Sequence, residues 1–227
     1  MPDVRFKNYG LPDEVAYPRQ AESIVMRGID AVGGHRRAEA SVQRIRNMAG
    51  RPDAVLHTYD VWSDAANNLV GGSASVLTKT LSNLGGWWQG PAYDAFSGYL
   101  TGDNGPVQAS KSNADHMVAV CKQLLQAYGE IIDVYNQSVQ KMADVAVTMS
   151  KYAPWKIQNM LRTTEAASNL LSDFASTIAK WEIDHRNALR AYITNSKQTM
   201  TEIQAIIEPN DFPSSALIAK KWHYRKD

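Results

Sequence analysis

Cysteine occurs once, at Cys121, which excludes intrachain disulfides, disulfide scaffolds and cysteine-based metal fingers together. Excess charge is equally scarce. The 24 Lys and Arg face 23 Asp and Glu, a formal net charge of +1, so no global field favours nucleic acid or an anionic membrane. No uninterrupted apolar run approaches the roughly 20 residues of a membrane-spanning helix. The start, Met1-Pro2-Asp3-Val4-Arg5, has no apolar stretch behind it and lacks the layout of a secretory signal peptide. Sustained period-two alternation is missing, which argues against sheet. Nor is there a Gly-rich phosphate loop, a nucleophile elbow or a pair of carboxylates at a strand end. The expectation is a protein with no enzymatic activity and no cofactor.

Helical periodicity is abundant instead. From Val55 to Leu84, Leu56, Tyr59, Trp62, Ala66, Leu69, Val70, Leu77, Leu81 and Leu84 follow a three-four spacing, interrupted at Gly71-Gly72. Those glycines imply close packing of a neighbour or a bend. The strongest pattern is a seam of Met117, Cys121, Leu124, Tyr128, Ile131, Tyr135, Ser138, Met142, Val145 and Met149, apolar at all but Ser138. Alternating steps of four and three over that distance predict a helix packed along its length on other helices, with Pro106 placed to begin it.

Beyond Tyr152-Ala153-Pro154 a third pattern runs through Ile157, Met160, Thr164, Ala167, Leu171, Phe174, Ile178, Trp181, His185, Leu189 and Tyr192, fading near Ile207. Glu208-Pro209-Asn210-Asp211-Phe212-Pro213 then ends helix and leaves a mobile basic and aromatic tail, Lys220-Lys221-Trp222-His223-Tyr224-Arg225-Lys226. A short helix is expected over 36–49 from Ala38, Val42, Ile45 and Ala49. Gly10, Pro12 and Pro18 mark the first residues as loose. The expected fold is all-α, an elongated antiparallel helical bundle. Its domains are a loose segment over 1–34, a helical hairpin over 35–152, a further long helix packing on it over 153–208, and a flexible tail over 209–227.

Between the first two long helices lies Gly85-Gly86-Trp87-Trp88-Gln89-Gly90-Pro91-Ala92-Tyr93-Asp94-Ala95-Phe96. Gly85 or Gly86 suits a left-handed helix cap, Gly90 a sharp reversal, and Pro91 the first position of a returning helix. At least one of Trp87 and Trp88 should pack against that helix near Phe96, stapling the turn.

Trp88-Gln89-Gly90 followed by Ala92, Ala95 and Phe96 resembles the WXG turn of small type VII secreted proteins. Pro91-Ala92 and Tyr99-Leu100 are similar to the corresponding positions of the related mycobacterial PPE proteins. The resemblance covers roughly residues 55 to 150. It implies antiparallel helices and pairing with a second copy or another WXG-like helical protein. It also implies handling by a secretion ATPase or chaperone, and export to the medium or cell surface by a non-Sec route from the cytoplasm. One departure stands out. The family's Tyr-x-x-x-Asp/Glu signal does not follow the second hairpin helix: Tyr128 is followed at four by Ile132, Tyr135 by Val139 and Tyr152 by Lys156. Tyr9 to Asp13 and Tyr99 to Asp103 match by spacing alone. In the PPE-like arrangement a partner supplies the signal.

Three other constellations have plainer readings. Glu182 and His185 have the spacing of a Glu-x-x-His metal half-site, yet no second half-site exists, and His185 reads as a polar seam residue. Arg27, Arg36, Arg37, Arg44, Arg46 and Arg51 face only Asp30 and Glu39 in residues 27–51. Nucleic-acid phosphate or an acidic partner would fit there, although a solvated helix face explains the charge without either. The tail around Trp222 and Tyr224 would suit a membrane surface or a receptor. Two rival functions share the long helices: a structural subunit of a phage or injection assembly, and a membrane-active helical toxin.

Overall fold

The computed structural model describes residues 8–48, 50–103, 105–152, 160–206 and 223–224. These are almost entirely helical, so the fold class is all-α. In chain order come α1 (Arg19–Ala31), α2 (Arg36–Met48), α3 (Pro52–Asn67), a π-helical stretch (Asn68–Ala74), α4 (Ser75–Gly85), β1 (Trp88–Gln89), α5 (Pro91–Thr101), α6 (Pro106–Tyr152), α7 (Met160–Ile206) and β2 (His223–Tyr224). The chain divides into two compact units. One holds residues 1–55 with 125–192 and the other 56–124 with 193–227, so α6 and α7 each contribute to both.

The first unit has a core of large side chains. Val25 and Ile29 of α1, Val42, Ile45 and Met48 of α2, Tyr135, Met142, Val145 and Met149 of α6, and Leu171, Phe174 and Ile178 of α7 form one buried cluster. Their contacts fix the helix directions. Leu11 and Pro12 lie beside Gly129, and Gly28 beside Met149, so the N-terminal chain runs parallel to α6. The Ser138 hydroxyl sits 3.8 Å from the Met48 sulfur, so α2 runs back along α6. His35 meets Ser172 and Arg44 meets Glu182, so α7 runs with α2.

Residues 1–34 were expected to be loose; α1 occupies 19–31. Ala21, Ile24, Val25, Ile29 and Val32 keep a helical spacing that gives α1 one apolar face. At Gly28 the absence of a side chain lets that face approach Met149, whose methyl carbon would lie 2.8 Å from an added Cβ. His35 caps α2: the Ala38 N–H donates to its Nδ1 at 3.2 Å, so the ring proton resides on Nε2 and is donated to Ser172 Oγ at 3.0 Å. Ala38, Val42 and Ile45 are buried as expected, while Ala49 lies outside the described residues and Met48 completes the face.

In the second unit Cys121 of α6 lies beside Tyr59 of α3, and Tyr93 of α5 reaches back to Leu81 of α4, so the chain reverses between α4 and α5. The glycines at 71 and 72 do not serve close packing. A Cβ on either would meet nothing within 4 Å. Their segment is π-helical, and the inward positions explain why: Leu69 is followed inward by Ala74, a step of five, before steps of three and four resume through Leu77, Leu81 and Leu84. An i→i+5 turn absorbs that extra residue, and Val70 turns out to solvent.

The tail expected to be mobile contributes a strand at its described residues. His223–Tyr224 pairs antiparallel with Trp88–Gln89, Trp88 opposite Tyr224 and Gln89 opposite His223. The non-helical backbone of Trp88–Gln89, between two helices, offers donors and acceptors that a second extended segment can satisfy. The other tail residues, and Ile157, lie outside the described residues.

Candidate interaction site

Gly90 makes the turn at φ 96° and ψ −175°, a conformation open essentially to glycine, and its carbonyl accepts the Asp94 N–H at 3.0 Å as α5 begins with Pro91 at its first position. On the other side, Gly86 and Trp87 donate their N–H groups to the carbonyls of Asn83 and Leu84 at 3.2 and 2.9 Å. The expected left-handed cap at Gly85 or Gly86 is absent: Gly86 is right-handed, at φ −70°, and positive φ in this region falls on Gly90. Gly85 has a different task. A Cβ there would stand 2.6 Å from the Tyr93 hydroxyl oxygen, which donates to the Leu81 carbonyl at 3.2 Å, so glycine makes room for that clasp.

Trp88 provides the staple. Its ring lies 5.8 Å from that of Tyr93, nearly edge-on, and 5.6 Å from that of Phe96 at a 32° tilt. Such aromatic pairs contribute about 0.5–1.5 kcal/mol each beyond their buried area. Trp87, also assigned to the turn, is 71% exposed and takes no part in this packing. Tyr93 had been given no role of its own. Its position three residues before Phe96 on one helical face, and three after Gly90, is the signal that points to it.

Of the proposed helix interface, Cys121, Leu124, Tyr128, Ile131, Tyr135, Met142, Val145 and Met149 are buried, together with Ser138, and Met117 is half-buried. Ser138 satisfies its hydroxyl within its own helix, donating to the Val134 carbonyl at 2.8 Å. Burial raises the thiol pKa of Cys121, which donates to the Tyr59 carbonyl at 3.6 Å and behaves as a small hydrophobe. Burial, with the Glu14 charge behind it, raises the Tyr135 phenol to about 12 and the Tyr128 phenol further still, so both stay neutral at working pH.

Glu182 pairs with Arg44 at 3.1 Å and with Arg186 at 2.5 Å, and burial lowers the pKa of His185. No group of three or more His, Cys, Asp or Glu converges on a metal position among the described residues. Nor is any helix of the described residues long and apolar enough to cross a membrane.

No family model, curated protein or solved structure matches this chain. The arrangement at 85–96 is a chain reversal with one tryptophan packed inward on Tyr93 and Phe96 and one turned out to solvent.

Proposed function

We propose that the chain is a non-enzymatic substrate or partner protein of a type VII, ESX-like secretion system. It acts by helix-helix pairing, within an antiparallel bundle built on a W-x-G helical hairpin. The observation that carries this reading is the turn. Gly90 at positive φ, Pro91 at the first helical position and Trp88 packed on Tyr93 and Phe96 put each residue of the motif to the use a stapled hairpin tip requires.

A second observation supports pairing. In the unit containing the turn, Val61, Val70, Val76, Val118 and Ile193 are exposed, apolar side chains that another helical chain would cover on pairing. The signal missing after α6 is then supplied in trans by the partner, and the chain waits in the cytoplasm before a non-Sec export.

Light scattering with size-exclusion chromatography tests the hairpin, on the chain alone and after Trp88→Ala and Gly90→Val. A monomer or dimer whose helicity and hydrodynamic size change with those substitutions supports it. Export into the medium that depends on an active secretion ATPase supports the rest. Large assemblies indifferent to both substitutions, or export independent of the ATPase, would remove the reading in favour of a structural subunit.

A further inference from the structure

The first unit carries, between α2 and α7, a cleft that the secretion reading does not use. Arg36, Arg37, Ala40 and Arg44 line one side, and Ala175, Ser176 and Ala179 the other, around about 350 Å³. It exists because both helices present small side chains where larger ones would interdigitate. The trough is pinned at both ends, by His35 on Ser172 at 3.0 Å and by Arg44 Nε on Glu182 at 3.1 Å. Its shape is thus held by contacts that do not involve any ligand.

Charge in the cleft has one sign. Three arginines line it and no carboxylate does. Among the described residues Arg36 and Arg37 have no carboxylate partner, and the Glu182 pair engages Arg44 through Nε. Arg36 and Arg37 are the first two residues of α2, where the helix dipole adds to their positive potential.

We propose that this cleft is a docking groove for an acidic helix of a partner chain. Small apolar residues of that helix seat over Ala40, Ala175 and Ala179, while carboxylates two turns apart meet Arg36 and Arg37 at one end and Arg44 at the other. The spacing fits. Eight residues of α2 rise roughly 12 Å, and carboxylates seven residues apart on a helix lying along the groove are roughly 10.5 Å apart. Nucleic acid fits less well, because the floor offers a phosphate backbone a single hydroxyl, that of Ser176, and three arginines neutralise few phosphates. The inference is independent of the secretion reading: export can fail while the groove binds, and the reverse.

Fluorescence anisotropy on the full chain tests it. The probe is a labelled Ala-rich helix of about 20 residues with glutamates two turns apart. Its controls are a glutamine version, a version with the same charge but a central proline, a short DNA duplex and inorganic phosphate as competitor. The acidic helix should bind at least about tenfold more tightly than the glutamine and proline peptides. Combined Arg36→Gln and Arg37→Gln should weaken binding about fivefold, more at low salt than at high. Ala179→Leu, which fills the floor and leaves every charge in place, should weaken it comparably at unchanged helicity; if it lowers helicity, the exposed Ser176→Leu replaces it. Equal binding of the proline-broken peptide or the duplex would overturn the proposal in favour of a diffuse basic surface. So would indifference to the floor substitution, competition by phosphate, or no binding of the acidic helix at all.

Discussion

Replacing Gly90 by alanine separates the chain reversal from the helices around it. Gly90 stands at φ 96° and ψ −175°, whereas Gly86, four residues earlier, is right-handed at φ −70° and ψ −26°. Alanine at 90 must hold a conformation that costs about 1–3 kcal/mol, or the turn must shift; the lower freedom of the unfolded chain offsets about 0.4–1 kcal/mol. The net loss is about 1–2 kcal/mol, which lowers the melting temperature of a chain this size by about 2–8 °C. At Gly86 the same substitution meets the Asn83 carbonyl oxygen at 3.3 Å but gains up to about 1 kcal/mol of helix propensity, so it should be nearly neutral. Thermal melts followed by far-ultraviolet circular dichroism compare the two variants directly. A loss at Gly86 equal to or larger than that at Gly90 would refute this account of the turn.

Phe174→Ala empties a fully buried position in the first unit and should cost about 3–5 kcal/mol in urea unfolding. Gly85→Ala pushes the Tyr93 hydroxyl off the Leu81 carbonyl. Gly85→Ala and Tyr93→Phe together should therefore lose less than the sum of the two single losses, and strict additivity would place the clasp elsewhere. Burial lowers the pKa of His185, partly opposed by Glu182 and reinforced by Arg186. A histidine whose folded value lies below its unfolded value, about 6.5, leaves stability intact above that pH and removes it as pH falls toward the folded value. His185→Gln should flatten the stability profile in that window, and an unchanged slope would assign the loss to other groups.

What the sequence made legible was whatever a three-four spacing or a turn residue encodes locally. The seam from Cys121 to Met149 is buried residue for residue, α6 begins at Pro106, and Gly90-Pro91 forms the reversal and helix start. The features that escaped depend on partners distant in the chain. Pro12 and Pro18 hid α1, whose apolar face becomes decisive once Gly28 lets it approach Met149. Gly71-Gly72 suggested a close neighbour, but no local rule distinguishes a glycine that admits a neighbour from one within a π-helical turn facing solvent. The Trp88–Tyr224 pairing joins residues far apart with no shared periodicity. The arginine cleft was half visible: the charge on α2 could be counted, while the small residues opposite it on α7 matter only once the two helices lie side by side.

The two units differ in how much their own cores supply. Phe174, Ile45, Ile132, Met142, Leu171 and Ile178 are fully buried in the first. Among its described residues the second buries fewer large side chains, Leu56, Leu81, Leu100, Leu124 and Ile203 beside Ala66, Ala74, Ala92 and Ala114, whereas the alanines of the first, Ala38, Ala127, Ala146, Ala167 and Ala175, are outnumbered by larger residues. Each position with alanine in place of leucine forgoes three carbons, about 2.4 kcal/mol at about 0.8 per buried methylene, so the described interior of the second unit supplies less stability. Because α6 passes through both, one helix carries an internal comparison. Amide hydrogen exchange along it should be faster over 106–124 than over 125–152, and the difference should shrink when a partner covers the exposed valines, since binding to the folded state alone stabilises it. Uniform protection along α6 would mean that the alanine-rich interior is no weaker than the aromatic one, and the case for a second chain on that unit would lose its energetic footing.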